Sequence, residues 1–121
     1  MNSVFLVFAF TATAVMSAHA QDAVKVDPKH YKVEFENERV RVLRVSYAPG
    51  EKSVMHEHPE NVAVFLTDGR GKFTLPDGKS EEVPIAAGTT RAGGAEKHIP
   101  ENVGDQPFEL ILVELKGSHG H

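Results

Sequence analysis

The chain has 121 residues, no cysteine and a formal net charge of −4, from 13 basic and 17 acidic side chains. These charges are interspersed and form no basic patch, which argues against nucleic-acid binding. The lack of cysteine excludes disulfides, a cysteine nucleophile and thiolate metal ligands. Stability must therefore come from an apolar core, aided by any metal that the protein binds.

The N-terminal 20 residues form a separate segment with the features of a secretory signal. Residues 4–16 are apolar apart from two threonines, and Ala18 and Ala20 form an A-x-A pattern before Gln21. We therefore predict a signal peptide over 1–20 and export to the periplasm or the medium. The segment before the apolar run has no lysine or arginine, which leaves open an uncleaved anchor or a misassigned start codon. The mature chain, 21–121, is then expected to be one soluble domain without membrane association.

The first half of the mature chain contains three candidate strands. Residues 31–36, "YKVEFE", alternate apolar and polar side chains, as in a half-buried strand that buries Tyr31, Val33 and Phe35. Residues 39–47 are rich in valine, but their apolar positions change phase, which indicates a bulge or burial on both faces. Residues 62–67, "VAVFLT", are continuously apolar and predict an interior strand.

The second half continues as short strands joined by turns. Asp68–Gly69 and Asp77–Gly78 each predict a tight hairpin, because glycine and aspartate tolerate positive φ. A glycine-rich bend follows around His98, and residues 107–115 predict a last strand. No stretch has a persuasive helical period. The pattern predicts an all-β sandwich or barrel.

Three histidines are the candidate metal ligands. His56 and His58 are two residues apart, so on a strand both rings lie on one side, with Cα atoms about 6.6 Å apart. A third ligand must come from elsewhere, and His98 is the remaining histidine in a turn-bounded stretch. The bare H-x-H pattern arises readily by chance in a chain with seven histidines. The alternative is an interior with three imidazoles and no metal, whose polar atoms would satisfy one another poorly.

The first histidine pair also resembles a family motif. In the cupin family this motif is a glycine, five residues, H-x-H, three or four residues, a glutamate, six residues and a glycine. Gly50, His56, His58 and Gly69 have these spacings. The glutamate is missing, because Val62 and Ala63 occupy its two allowed positions.

The second cupin motif is matched at its end only. It closes on a histidine, three residues and an asparagine, which His98 and Asn102 in "HIPEN" reproduce. The earlier P-x-G of this motif is absent, because Gly93 occupies the proline position and Ala95 the glycine position. The resemblance extends over about residues 31–115.

The resemblance implies an antiparallel jelly-roll barrel, often dimeric. It also implies that His56, His58 and His98 bind one divalent ion, with iron, manganese, nickel, zinc and copper all open. Glu60 shares the parity of the first two histidines and is an alternative source of the missing carboxylate. Asn102 would either orient His98 or cap a turn, the latter being favoured.

The function implied is that of a small exported cupin. An oxygen-dependent dioxygenase acting on a small organic substrate is the leading hypothesis, since some cupin oxygenases use three histidines. A metal- or ligand-binding module without turnover is the main alternative, and an isomerase or lyase is a third. Phe65, Phe73, Leu110 and Leu112 would either line the ligand cavity or fill the core. Arg91 would either hold an anionic ligand at the barrel mouth or lie on the surface. The tail "GSHGH", with His119 and His121, is expected to be flexible, although it could also scavenge metal.

Overall fold

The computed structural model describes residues 21–117. The predicted signal peptide and the tail histidines, His119 and His121, lie outside these residues. Within the described part, one short helix precedes nine strands. The elements are α1 (Ala23–Val26), β1 (Tyr31–Glu36), β2 (Val40–Tyr47), β3 (His56–His58), β4 (Asn61–Phe65), β5 (Gly69–Thr74), β6 (Ser80–Ile85), β7 (Thr90–Gly93), β8 (Glu96–Asn102) and β9 (Phe108–Leu115).

The strands form two antiparallel sheets. One has five strands in the order β1-β2-β9-β4-β7, and the other has four in the order β3-β8-β5-β6. Side chains from both sheets line a single cavity, so the sheets face each other as in a jelly-roll barrel. The all-β prediction is confirmed. No helix among residues 21–117 is long and apolar enough to cross a membrane.

The five-stranded sheet supplies most of the core. Leu43, Val45 and Tyr47 of β2 are buried together with Phe108 and Leu112 of the neighbouring strand β9. All five lie on one face, because side chains two residues apart point the same way. This face forms one wall of the barrel.

Strand β1 is less buried than its pattern predicts. Tyr31 is buried, but Val33 and Phe35 are 44% and 54% exposed. The register between β1 and β2 shifts between Val33 and Phe35, so the bulge lies in β1 and not in β2. Because β1 is an edge strand, only its first residue reaches the core.

One predicted hairpin is confirmed and the other is wrong. Asp77–Gly78 joins β5 to β6, and Gly78 has φ +91°. Asp68–Gly69 instead carries the chain from one sheet to the other, since β4 and β5 do not pair. Gly69 is required by a close approach, because a Cβ built there would lie 2.9 Å from Cβ of Phe108.

Candidate metal centre

The register of two neighbouring strands places the three predicted histidines together. His56 and His58 are the ends of β3, and His56 pairs directly with His98 on β8. Since residues two apart share a face and directly paired residues do too, all three rings project to the same side of the sheet. Local alternation and one strand pairing therefore suffice to build the cluster.

The three imidazole rings are close enough to share one ion. Ring centroids are 4.8 Å apart for His56 and His58, 5.1 Å for His56 and His98, and 5.4 Å for His58 and His98. One ring nitrogen from each residue lies within 4.8 Å of the other two. Nitrogens bonded to one tetrahedral ion at about 2.1 Å are about 3.4 Å apart, so ligation requires the rings to move inward by roughly an ångström.

Hydrogen bonds at Nδ1 determine which nitrogen of each ring is free. Nδ1 of His56 lies 3.1 Å from the carbonyl oxygen of Val54, and Nδ1 of His98 lies 3.3 Å from a carboxylate oxygen of Glu96. Both partners accept hydrogen bonds, so each Nδ1 carries the proton and each Nε2 keeps a lone pair. The Nε2 atoms of His56 and His98 are buried and have no hydrogen-bond partner among residues 21–117. A metal ion is the partner that such lone pairs fit.

The surroundings of the cluster keep the rings of His56 and His98 neutral. Burial, together with the neighbouring rings of His58 and His98, lowers the pKa of His56 to about 3. Burial and the ring of His58 also lower the pKa of His98, against a smaller opposing effect of Glu96. Neutral imidazole is the form that binds metals, so protons compete weakly at these two positions near neutral pH.

A hydrogen-bonded chain supports His56 from behind. Nδ1 of His56 lies 3.0 Å from Oγ of Ser53, which donates to Asp27 at 2.6 Å. Asp27 also lies 2.7 Å from Nδ1 of His30. Burial raises the pKa of Asp27, but hydrogen bonds from Ser53 and His30 outweigh burial and leave this pKa below its ordinary value. Because the hydroxyl proton of Ser53 is donated to Asp27, Oγ of Ser53 accepts a hydrogen bond from Nδ1 of His56.

A second buried carboxylate supports His58. Oε2 of Glu114, on β9, lies 2.6 Å from Nδ1 of His58. Arg41, on β2, donates to Oε1 of Glu114 from Nε at 2.9 Å and from Nη2 at 2.7 Å. Arg41 is also paired with Asp22, which precedes α1. The carboxylate of Glu114 thus contacts the histidine cluster at Nδ1 of His58.

The cluster opens into the cavity between the sheets. The cavity has a volume of about 720 Å³, and His58 and His98 form part of its wall. Most of the remaining wall is apolar. It includes Val45, Phe65, Phe73, Ile85, Leu110 and Leu112. A small molecule with an apolar body could therefore bind next to the three imidazoles.

Comparison with known proteins shows the family. Residues 43–114, more than half of the chain, match the family profile described as a cupin domain. The chain belongs to the cupin family. No curated protein matches this cupin.

Solved structures confirm the cupin fold. A cupin domain from Bordetella pertussis Tohama I is 27% identical with a TM-score of 0.67, over 72% of this chain and 92% of that one. A Cupin 2 conserved barrel domain protein from Salinispora arenicola CNS-205 is 20% identical with a TM-score of 0.57, over 78% and 81% of the two chains. An RmlC-like cupin family protein from Methanocaldococcus jannaschii is 18% identical with a TM-score of 0.56, over 74% and 84%.

The other predicted site residues have varied positions in this cupin. Glu60 is exposed and does not belong to the group of side chains, among residues 21–117, that could hold a metal. Asn102 is buried and donates to the carbonyl oxygens of Tyr47 and Gln106, so the turn interpretation is confirmed. Arg91 is exposed and also contributes to the cavity wall.

The apolar candidates serve two roles at once. Leu112 is buried in the core, and Phe65 and Leu110 pack against that core. These three residues and Phe73 also line the cavity. The alternatives of core and ligand wall were not exclusive, because the inner faces of the two sheets provide both.

Two residues that contact the cluster or its support, Glu114 and Arg41, were missed, although the sequence contains a signal for them. Glu114 continues the inward series Phe108, Leu110 and Leu112, and Arg41 shares the parity of the buried residues of β2. A charged residue at an inward position of a strand needs a partner. Arg41 and Glu114 pair directly in register, which a comparison of the two parities could have indicated.

Proposed function

We propose that this cupin binds one divalent metal ion through His56, His58 and His98 and acts there on a small organic molecule, as an oxygen-dependent dioxygenase. The observation that carries the proposal is the pair of buried Nε2 atoms of His56 and His98, which have no partner within the described part of the chain and lie beside the ring of His58. Three imidazoles suit iron, nickel, copper and zinc alike. A bound ion would supply a Lewis-acidic or redox-active centre with positions left for other ligands.

The residues of the chain account for binding and for the exclusion of water. The apolar wall of the 720 Å³ cavity would desolvate a substrate placed against His58 and His98. Tyr31 packs edge-on against His56, with ring centroids 4.9 Å apart, and its hydroxyl lies 2.7 Å from that of Tyr47. Burial raises the pKa of Tyr31 well above its usual range, so this phenol remains protonated. Tyr31 therefore forms an uncharged part of the cavity wall beside the histidines.

Oxygen consumption tests the proposal. We expect protein expressed from the full sequence, purified without a polyhistidine tag and loaded with iron(II), to consume oxygen with at least one of a panel of diketones, thiols and flavonols. The His98→Ala variant should lose this consumption, because one of three ligands is gone. Lys97→Ala is the matched control, since Lys97 lies next to His98 and is exposed. Consumption that persists in His98→Ala would contradict the proposal.

A binding module without turnover is the second candidate. Among residues 21–117, the group of possible ligands contains no carboxylate. Glu96 and Glu114 both contact Nδ1 atoms, so neither is free to act as a general base at the cluster. Stoichiometric metal without oxygen consumption on any substrate of the panel would favour this candidate.

We also propose that the chain is exported and cleaved after Ala20. The support is the A-x-A pattern and the apolar run before it. Intact mass spectrometry of the exported protein should give the mass of residues 21–121, whereas an intact leader would contradict cleavage. Light scattering on the same preparation tests the homodimer that the family resemblance implies.

A further inference from the structure

We propose that Glu114, held by Arg41, is a positioning residue that fixes the tautomer of His58 and so leaves Nε2 of that ring free to bind a metal. Only the part of this inference that concerns metal binding rests on the proposed function. The tautomer is a property of the protein itself and can be measured without any metal.

Glu114 and Arg41 occupy directly paired positions on neighbouring strands. Glu114 is 2% exposed and stands at an inward position of β9. Arg41 is its direct partner on β2. A buried carboxylate costs free energy unless charges and hydrogen bonds compensate it. Here both oxygens are used, one by Arg41 and the other by His58.

The hydrogen bonds then determine where the proton on His58 lies. Oε1 of Glu114 accepts two hydrogen bonds from Arg41, which orients the carboxylate. Oε2 lies 2.6 Å from Nδ1 of His58. A carboxylate beside a guanidinium accepts hydrogen bonds, so Nδ1 must donate, and a ring with one proton then has its lone pair on Nε2. This is the arrangement in which a carboxylate orients a metal-binding imidazole.

Arg41 is in turn fixed by the N-terminal segment. Its guanidinium pairs with Asp22, and the backbone amide of Glu57 donates to the carbonyl oxygen of Gln21 at 2.9 Å. The segment therefore contacts both Arg41 and strand β3, which carries His56 and His58. Arg41 lacks freedom to turn away from Glu114, and this makes the orientation of the carboxylate a fixed property of the fold.

Glu114→Gln gives the sharpest test, because the two ends of an amide differ. Arg41 donates two hydrogen bonds and will attract the amide oxygen, so the NH₂ group must face Nδ1 of His58. Nδ1 then has to accept, and the proton moves to Nε2. We expect ¹⁵N-detected histidine NMR of the metal-free protein to show Nδ1–H for His58 in the wild type and Nε2–H in the variant. Affinity for zinc should fall about 10- to 100-fold.

A double variant distinguishes control of the His58 tautomer from a general loss of structure. In Arg41→Met/Glu114→Gln nothing attracts the amide oxygen, so the glutamine can turn and accept from Nδ1 of His58 again. We expect the double variant to regain the Nδ1–H tautomer and most of the zinc affinity. Glu109→Gln is the matched control, since Glu109 lies on the same strand and is 38% exposed in its side chain. It should change neither the tautomer nor the affinity.

The outcomes distinguish this inference from the proposed function. An Nε2–H tautomer of His58 in the wild type, or an unchanged Nδ1–H tautomer in Glu114→Gln, would overturn the inference whatever the metal does. If Glu114→Gln does not fold, the wild-type tautomer and the double variant decide the question. A tautomer switch in a protein whose wild type binds none of zinc, iron(II), nickel and copper would support the inference and contradict the metal-binding function.

Discussion

Saturation with a divalent metal ion should stabilise this cupin by about 2.7 kcal/mol when the free ion is at one hundred times its dissociation constant. The reason is that the Nε2 atoms of His56 and His98, which are buried and find no partner in residues 21–117, gain one in the metal-bound form. For a domain of this size the midpoint of thermal unfolding should rise by roughly 10–20 °C. Differential scanning calorimetry of chelator-treated protein, with and without added ion, measures the shift.

The tail histidines need their own control in that experiment. A variant with His119→Ala and His121→Ala should show the same rise in the unfolding midpoint, because those residues do not belong to the proposed centre. Equal midpoints with and without metal, in both proteins, would contradict metal binding by the folded domain. A rise that is lost with the tail histidines would assign the metal to the tail.

His98→Leu should affect the metal-free and the metal-bound protein in opposite directions. In the metal-free protein it removes a buried nitrogen that has no partner in the described residues, and it places an apolar side chain against the cavity wall. Since an unsatisfied buried polar atom costs about 1–3 kcal/mol, we expect the metal-free variant to be more stable by up to that amount. With metal present, the variant should lose the stabilisation described above, because one of three ligands is missing.

Chemical denaturation with and without metal measures both effects of His98→Leu. Lys97→Leu serves as the control, because this exposed neighbour points away from the cluster and should change stability by less than about 0.5 kcal/mol. A metal-free His98→Leu protein that is clearly less stable than wild type would show that the imidazole is a structural residue. The opposed signs are typical of a functional site that is maintained at the expense of stability.

The sequence predicted the strands of the core and the histidine cluster because both follow local rules. Alternation places His56 and His58 on one face, and the turn-bounded position of His98 allows it to pair with them. The burial of β1 could not be predicted in this way. Phe35 follows the alternation but is exposed, because a bulge and an edge position are set by neighbouring strands and not by the segment itself.

The carboxylate that contacts His58 could not be predicted from any single sequence motif. The cupin motif glutamate is replaced by Val62 or Ala63, and the sequence offered Glu60 as an alternative because it shares the parity of His56 and His58. The structure supplies the carboxylate from β9, and Glu114 contacts His58 at Nδ1. That contact depends on β9 lying between β2 and β4, a long-range pairing that no short pattern specifies. A charged residue at an inward position of a strand was the available sign.

The proposed centre requires that three imidazoles from β3 and β8 bind one ion. X-ray absorption spectroscopy of the metal-loaded protein, with both tail histidines replaced, measures the ligands of that ion. We expect one ion per chain with three imidazole nitrogens at about 2.1 Å. An ion with two or fewer imidazole ligands, or a spectrum unchanged in His98→Leu, would contradict it.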